Sequence, residues 1–382
     1  MTTPAIPSFT RWLTVVVYFA VVLIPVVLLG YDGPWFGAGD LAIRGKAPFP
    51  KKLFPGAFRD FDEWFADRLG LRYPLIYTGA GLHVGLLRRP LDRHIFFGRD
   101  GWMFWTDNGE TIPATMADSR SRLRYSQAEL GRIDAQFRAV RERFAQCGIP
   151  VYVAVSPNKE TIYGQYLFSS GVAAPETRFD ALLRNLSEPA RSIMIDARPE
   201  MRAAAAAHDP ILLYPKTETH WNELGAFYGY RAIMTALARS IPIEHPEMLS
   251  LDRYDVKSSR YPGGDMAVRV LFSPWRFDDS YVTVRPKMPS PEIKQTQVAH
   301  EHALYRNPNG KGRLVIFGDS FVDALMPFLA QNFAEVHRYS AEWIDGAVAA
   351  QHRPAAVIFQ TVERHAERLL LPPRNLSQLC GK

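Results

Sequence analysis

Two short stretches of this 382-residue chain carry side chains suited to acyl transfer. Gly318-Asp319-Ser320-Phe321 follows directly on the apolar run Leu314-Val315-Ile316-Phe317. A strand that ends in a tight glycine turn presents the next side chains at the carboxyl edge of a sheet, where open α/β folds form their sites. A serine there becomes a nucleophile only when a base takes its proton. Glu218-Thr219-His220-Trp221, about 100 residues earlier, offers that base. In an extended segment a two-residue offset places Glu218 and His220 on the same side, so the carboxylate can reach the second ring nitrogen. Serine, histidine and an acid make such a relay on many folds and in several chain orders. The residues alone also leave open a surface histidine and a chance Gly-Asp-Ser.

An oxyanion hole needs donors aimed at the developing charge. The Ser320 backbone N–H is the first candidate, and Asn158 and Gly264 are further ones. Asn158 also reads as a turn residue and Gly264 as a hinge. Lys159 suits the carboxylate of an acidic sugar, or is an ordinary surface charge. Asp319 reads as a turn former whose side chain bonds nearby backbone.

These residues must be positioned by alternating strands and helices. Val151-Tyr152-Val153-Ala154-Val155 is an apolar run suited to a sheet buried on both faces. Further strands are expected at 193–195, 314–317, 335–339 and 356–359, with helical segments at 179–186, 223–238, 322–331 and 341–350. Ser126-Gln127-Ala128-Glu129 is a capping-box pattern, and Leu130, Ile133, Phe137, Val140 and Phe144 then mark one helical face until Gly148 and Pro150 stop it. The alternation implies a doubly wound α/β parallel sheet with helices on both faces. A hairpin is expected around Arg99-Asp100-Gly101, and Phe58, Phe61, Trp64 and Phe65 fall on one face of a short helix. Residues 240–310, rich in proline and weak in periodicity, read as an insertion that covers the carboxyl edge of the sheet.

Leu13 to Gly30 is an uncharged apolar stretch of 18 residues, about the length of a hydrocarbon core. Leu28-Leu29-Gly30-Tyr31 is a poor cleavage site, so an uncleaved signal anchor is expected. Arg11 precedes it, while Arg44, Lys46, Lys51 and Lys52 follow, so local charge counting does not set the orientation. Long domains translocate largely regardless of charge, so the body is expected outside the cytoplasm, which for an inner-membrane anchor is the periplasm. The expected organisation is a cytoplasmic amino terminus (1–12), a span (13–30), a juxtamembrane linker (31–60), an amino-terminal extracytoplasmic part (61–120), a catalytic domain (121–375) and a tail (376–382).

The net charge is +6, with arginines scattered and no aromatic-basic array for nucleic acid. A basic surface also attracts an anionic polymer. The two cysteines, Cys147 and Cys380, lack metal-ligand spacing. Cys147 reads as buried at the end of a helix, with a disulfide to Cys380 as the alternative. No metal and no cofactor are expected, and no nucleotide-binding loop is visible for direct use of acetyl-CoA.

The chain resembles the SGNH-hydrolase-like proteins of alginate acetylation, the AlgJ/AlgX type, over nearly everything after the apolar stretch. The landmarks run in order: Trp64 to Arg72, Gly98 to Phe104, Pro157 to Tyr163, His220-Trp221, Gly263 to Met266, Gly318 to Phe321, and Val362-Glu363-Arg364. The short tail after Glu363 is closer to the AlgJ type. The resemblance implies an SGNH-like fold, Ser320 as nucleophile and His220 as general base. It also implies a multi-span membrane acyltransferase partner that supplies acetyl groups. The family acid is an aspartate in Asp-x-His, whereas this chain has Glu218. The expectation is an O-acetyltransferase acting on a secreted or cell-surface polysaccharide through an acetyl-serine. A polysaccharide acetylesterase, a non-catalytic binding or assembly subunit, and a structural membrane protein are the alternatives.

Overall fold

A computed structural model describes residues 8–31, 46–50, 56–89, 92, 94–105, 118, 123–167, 176–267, 277–288 and 293–380. The chain forms two compact units, Met1–Asp92 with Asp265–Arg276, and Arg93–Gly264 with Phe277–Lys382.

The first unit contains the apolar helix Ser8–Val27. Its stretch Phe9–Val27 is long and apolar enough to cross a membrane, and only 6% of it is buried. The helices Ala57–Arg68 and Arg72–Ala80 follow. Gly70 donates its N–H to the Pro25 carbonyl (2.9 Å), and a Cβ at Gly70 would stand 2.5 Å from that of Leu28. Of the expected aromatic face, Phe61 packs on Trp64 and Phe65 (centroids 5.6 and 6.1 Å). Phe58, in the first turn of its helix, is instead 84% exposed. The linker expected at 31–60 falls mostly outside the described residues.

The second unit is built on a seven-stranded sheet. Its strands, in chain order, are β1 (Ile95–Phe97), β2 (Met103–Trp105), β3 (Val151–Ser156), β4 (Met194–Asp196), β5 (Tyr254–Tyr261), β6 (Asp279–Pro286), β7 (Lys294–Ala299), β8 (His302–Arg306), β9 (Arg313–Gly318), β10 (Glu335–Ser340) and β11 (Ala356–Val362). The large sheet has the order β4-β3-β11-β9-β10-β8-β7, while β1–β2 and β5–β6 form separate hairpins. The first five strands run parallel, and β8 and β7 are added antiparallel. The sheet is therefore mixed rather than wholly parallel. The segment expected to be an insertion supplies β7, β8 and the hairpin β5–β6. β5 and β7 are largely exposed, so neither strand shows an apolar alternation.

Successive residues of a strand face opposite sides, and both sides are covered. Leu314, Ile316, Ala356 and Ile358 pack with the helix Glu223–Leu237 in one core. Val315, Phe317, Val357 and Phe359 pack with the helix Gln127–Gln146 in the other. That second helix starts at the expected capping box, with Ser126 and Glu129 bonding each other's backbone, and buries all five residues of its expected face. The expected helix at 322–331 is instead a 3₁₀ turn, Ser320–Val322, and a single α-turn, Met326–Leu329; Pro327 at the second position of that turn has no N–H to continue a ladder from upstream.

Cys147 and Cys380 form a disulfide with Cα atoms 5.3 Å apart. The pairing replaces the expected free, buried Cys147. It became reachable because Cys147 ends the helix Gln127–Gln146 beside the last turn of the chain, where Arg143 donates to the carbonyls of Leu376 and Ser377.

Candidate active site

The parallel strands β3, β11 and β9 end side by side, so the turns after them meet at one edge. β9 ends at Gly318, where a Cβ would stand 2.7 Å from the Gln360 carbonyl oxygen of β11 and from Val322. Only glycine allows this approach. Asp319 caps the 3₁₀ turn Ser320–Val322: its carboxylate accepts from the N–H of Phe321 (3.0 Å) and of Val362 at the end of β11 (2.8 Å). This is the turn-former role expected of Asp319. The turn pushes Ser320 into the exposed position at the edge.

His220 comes to the same place from the loop before the helix Glu223–Leu237. Asn222 caps that helix, accepting from the N–H of Leu224 and Gly225 (3.0 and 3.1 Å). His220 Nε2 lies 2.7 Å from Ser320 Oγ. Its Nδ1 lies 3.0 Å from Glu218 Oε1, with Thr219 Oγ1 at 3.2 Å. The tautomer with the proton on Nδ1 donates to Glu218 and accepts the serine proton at Nε2. Phe321 packs against the imidazole (centroids 4.9 Å) and against Trp221 (5.1 Å). A serine hydroxyl on an imidazole whose other nitrogen is held by a carboxylate is the arrangement that activates a nucleophile.

The glutamate is held from several sides. Tyr261, the last residue of β5, donates its hydroxyl to Glu218 Oε2 (3.2 Å). Its cross-strand partner Asp279, the first residue of β6, accepts from the backbone N–H of Lys216 and Thr217 (both 2.9 Å) and from Thr217 Oγ1 (2.5 Å). The end of the β5–β6 hairpin thus braces the loop that carries Glu218 and His220. Sequence reasoning missed both residues. Their only signal, a polar or aromatic residue at a strand end, has no local pattern.

Lys159, read as a surface charge or a sugar contact, is only 3% exposed. Its ammonium donates to the carbonyls of Lys216 and Glu218 (both 2.8 Å) and Pro215 (3.4 Å). Gly264 donates its N–H to Thr217 Oγ1 (2.8 Å), and a Cβ there would stand 2.6 Å from that of Glu218. Both residues are engaged with the loop that carries Glu218.

Asn158 follows β3. It is buried, gives its backbone N–H to Glu363 Oε2 (3.0 Å) and accepts from the Arg364 N–H at Oδ1 (3.1 Å). The oxygen of its side-chain amide is therefore spoken for, and the amide nitrogen is the end that can meet a ligand. Burial pushes the Glu363 carboxyl above the ordinary range, opposed by Arg198, Thr161 and the Asn158 N–H. Arg364 lies over the Phe321 ring at 5.1 Å.

Known proteins share this fold. The family model described as "SGNH hydrolase-like domain, acetyltransferase AlgX" matches residues 95–352. The chain is 26% identical over 134 residues to the probable alginate O-acetylase AlgJ of Pseudomonas aeruginosa, which covers 35% of this chain and 30% of that protein. It is 28% identical over 145 residues to the probable alginate O-acetylase AlgJ of Pseudomonas putida, covering 38% and 34%. It thus spans about a third of the length of these curated relatives. Among solved structures, Bacillus cereus PatB1 with a sulfonyl adduct shares the fold at a TM-score of 0.54 and 14% identity, covering 73% of this chain and 98% of that one. With the family model matching well over half of its length, the chain belongs to the SGNH hydrolase-like acetyltransferase AlgX family.

Proposed function

We propose that this protein is a membrane-anchored, extracytoplasmic O-acetyltransferase that modifies hydroxyls of a secreted or cell-surface polysaccharide. The observation that carries the proposal is the continuous relay Ser320–His220–Glu218, at 2.7 and 3.0 Å. Ser320 Oγ attacks the acetyl carbonyl of an ester donor while His220 Nε2 takes its proton. The donor's C–O bond then breaks, and the imidazolium returns that proton to the departing alcohol. In the second half a sugar hydroxyl attacks the acetyl-serine, gives its proton to His220, and Ser320 leaves with it. Glu218 keeps the proton on Nδ1 and faces the positive charge that forms on the ring. The Ser320 N–H and the Asn158 amide nitrogen are the proposed oxyanion donors. Lys159 and Gly264 serve the position of Glu218 rather than the oxyanion or the sugar.

The apolar helix Ser8–Val27 supports a single-pass anchor. The Cys147–Cys380 disulfide supports an oxidising compartment such as the periplasm. The reading also includes a multi-span membrane acyltransferase as the source of acetyl groups, and 121–375 as the catalytic domain. The relatives named alginate O-acetylases support a polysaccharide acceptor. The exposure of Ser320 favours one second reading, an acetylesterase with water as acceptor.

The full chain in detergent, given an activated acetyl ester with and without an acidic oligosaccharide, separates these. Acetylated sugar supports transfer, and acetate alone supports the esterase. Ser320→Ala and His220→Ala are each expected to lower turnover by about 10³-fold or more. Variants that match the parent would remove the catalytic reading altogether.

A further inference from the structure

Away from this site, three histidines converge on one face of the large sheet. His302 opens β8 and lies directly opposite Tyr339 of β10. His337, two residues earlier on β10, shares that face. His352 is the last residue of the helix Gly346–His352. His302 Nε2 is 3.1 Å from His337 Nδ1. The His337 and His352 rings are 3.7 Å apart. One ring nitrogen from each histidine can be chosen so that all three lie within 4.8 Å of one another.

Metal-bound imidazoles usually rest their second nitrogen on a carboxylate, a carbonyl or water, and His337 has such a carboxylate. His337 Nε2 lies 3.4 Å from Glu335 Oε2. Glu335 is itself held by Arg313 (2.8 Å) and Arg306 (3.3 Å). The Tyr339 hydroxyl is 2.7 Å from His352 Nε2. His337 is buried, and His302 and His352 are half-buried, so the cluster is partly accessible to solvent. The His302–His337 hydrogen bond requires one of the two nitrogens to present a lone pair, which is the state a metal needs. The chain positions 302, 337 and 352 follow no metal-binding motif, so sequence gives no warning of the cluster.

We propose that His302, His337 and His352 form a three-histidine site for a divalent transition-metal ion such as zinc, with the fourth position open to solvent. Zinc–nitrogen bonds of about 2.0–2.1 Å in a tetrahedron place ligand nitrogens roughly 3.4 Å apart. The His302–His337 pair is already near that spacing, at 3.1 Å, so the adjustment falls to His352, whose stacked ring must tilt off His337 to aim its lone pair. Bound metal would tie β8 and β10 to the end of the helix Gly346–His352. Arg313, which also donates to the His352 carbonyl (3.4 Å), is a positive charge that opposes it, and Glu335 offsets that charge.

The test is a zinc titration of chelator-stripped, untagged full chain, read by calorimetry against a competing dye and by the thermal midpoint. The parent is expected to take one zinc per chain, with a raised midpoint. His352→Gln, at a half-exposed position, and His337→Ala are expected to weaken that binding 10- to 100-fold or abolish it. His220→Ala should still take one zinc, which separates this site from the imidazole of the catalytic relay. His352→Gln decides the matter if His337→Ala fails to fold. A parent that binds no zinc saturably, or a folded His352→Gln variant that binds as the parent does, overturns the proposal.

Discussion

At the scale of single residues, Glu218 stands where the resemblance led to the expectation of an aspartate, and the geometry shows how the longer side chain is housed. Its Oε1 meets His220 at 3.0 Å, while Oε2 takes the Tyr261 hydroxyl. Gly264 removes the Cβ that would collide with it. The site is thus fitted to glutamate. Shortening the side chain by one carbon–carbon bond withdraws the carboxylate by about 1.5 Å. Glu218→Asp is therefore expected to lower kcat, by roughly tenfold, rather than raise it. Glu218→Gln, which loses the charge facing the imidazolium, should cost about 10² to 10⁴. Steady-state kinetics on both variants checks this, and a gain in Glu218→Asp would mean the loop had not adapted. Ser320, His220 and Glu218 were legible in the sequence because each lies in a short local string with a strand or helix cap beside it. Lys159 was not. Its burial depends on carbonyls more than fifty residues away, and nothing near it in the chain announces them.

At the scale of elements, the loop 215–220 is held from outside itself, by Lys159 and by the β5–β6 hairpin. Replacing Lys159 with methionine keeps the packing against Trp102 and Phe104, 5.8 and 5.5 Å from the ammonium, but leaves two short carbonyl bonds unmade. Lys159→Met is expected to lose roughly 2–4 kcal/mol of stability and to lower kcat more than it changes KM, because Lys159 holds the loop of the relay and is not proposed to touch the sugar. Denaturant unfolding and kinetics read the two effects separately. The neighbouring Glu160, in the short turn Lys159–Ile162, is buried with no partner for Oε1. Burial pushes its pKa up to about 7 from 4.5, opposed by Arg364 and Lys159 and reinforced by Glu363. Between those two values the native state keeps a proton that the unfolded chain has released, so this group makes stability fall as pH rises. At about 1.36 kcal/mol for each pH unit between them, the loss is about 3 kcal/mol by pH 8. Unfolding of the parent and Glu160→Gln at pH 5 and 8 is expected to show the smaller decline in the variant; equal declines would refute it. The central strands and the helix Gln127–Gln146 could be read from periodicity because they are buried on two faces or one. β5 and β7 could not, because exposed strands select against the alternation that reveals them.

At the scale of the whole molecule, the Cys147–Cys380 bond joins residues 233 apart. A loop of that length favours the folded state by roughly 5 kcal/mol in the chain-entropy account. Cys147→Ser with Cys380→Ser, or the parent under reductant, should unfold at a clearly lower denaturant midpoint. An unchanged midpoint would mean that the cross-link adds nothing. Cross-linking has a second consequence, which is topological. Asn158, Glu218, His220, Ser320, Glu363 and the three histidines at 302, 337 and 352 all lie between the two cysteines, inside one covalent ring. A protease that cuts once anywhere within that ring opens the circle without releasing either fragment, so every group of the proposed acyl-transfer site stays on one molecule. Such a nicked protein would migrate as two pieces only after reduction, and its activity could outlast the break in its chain.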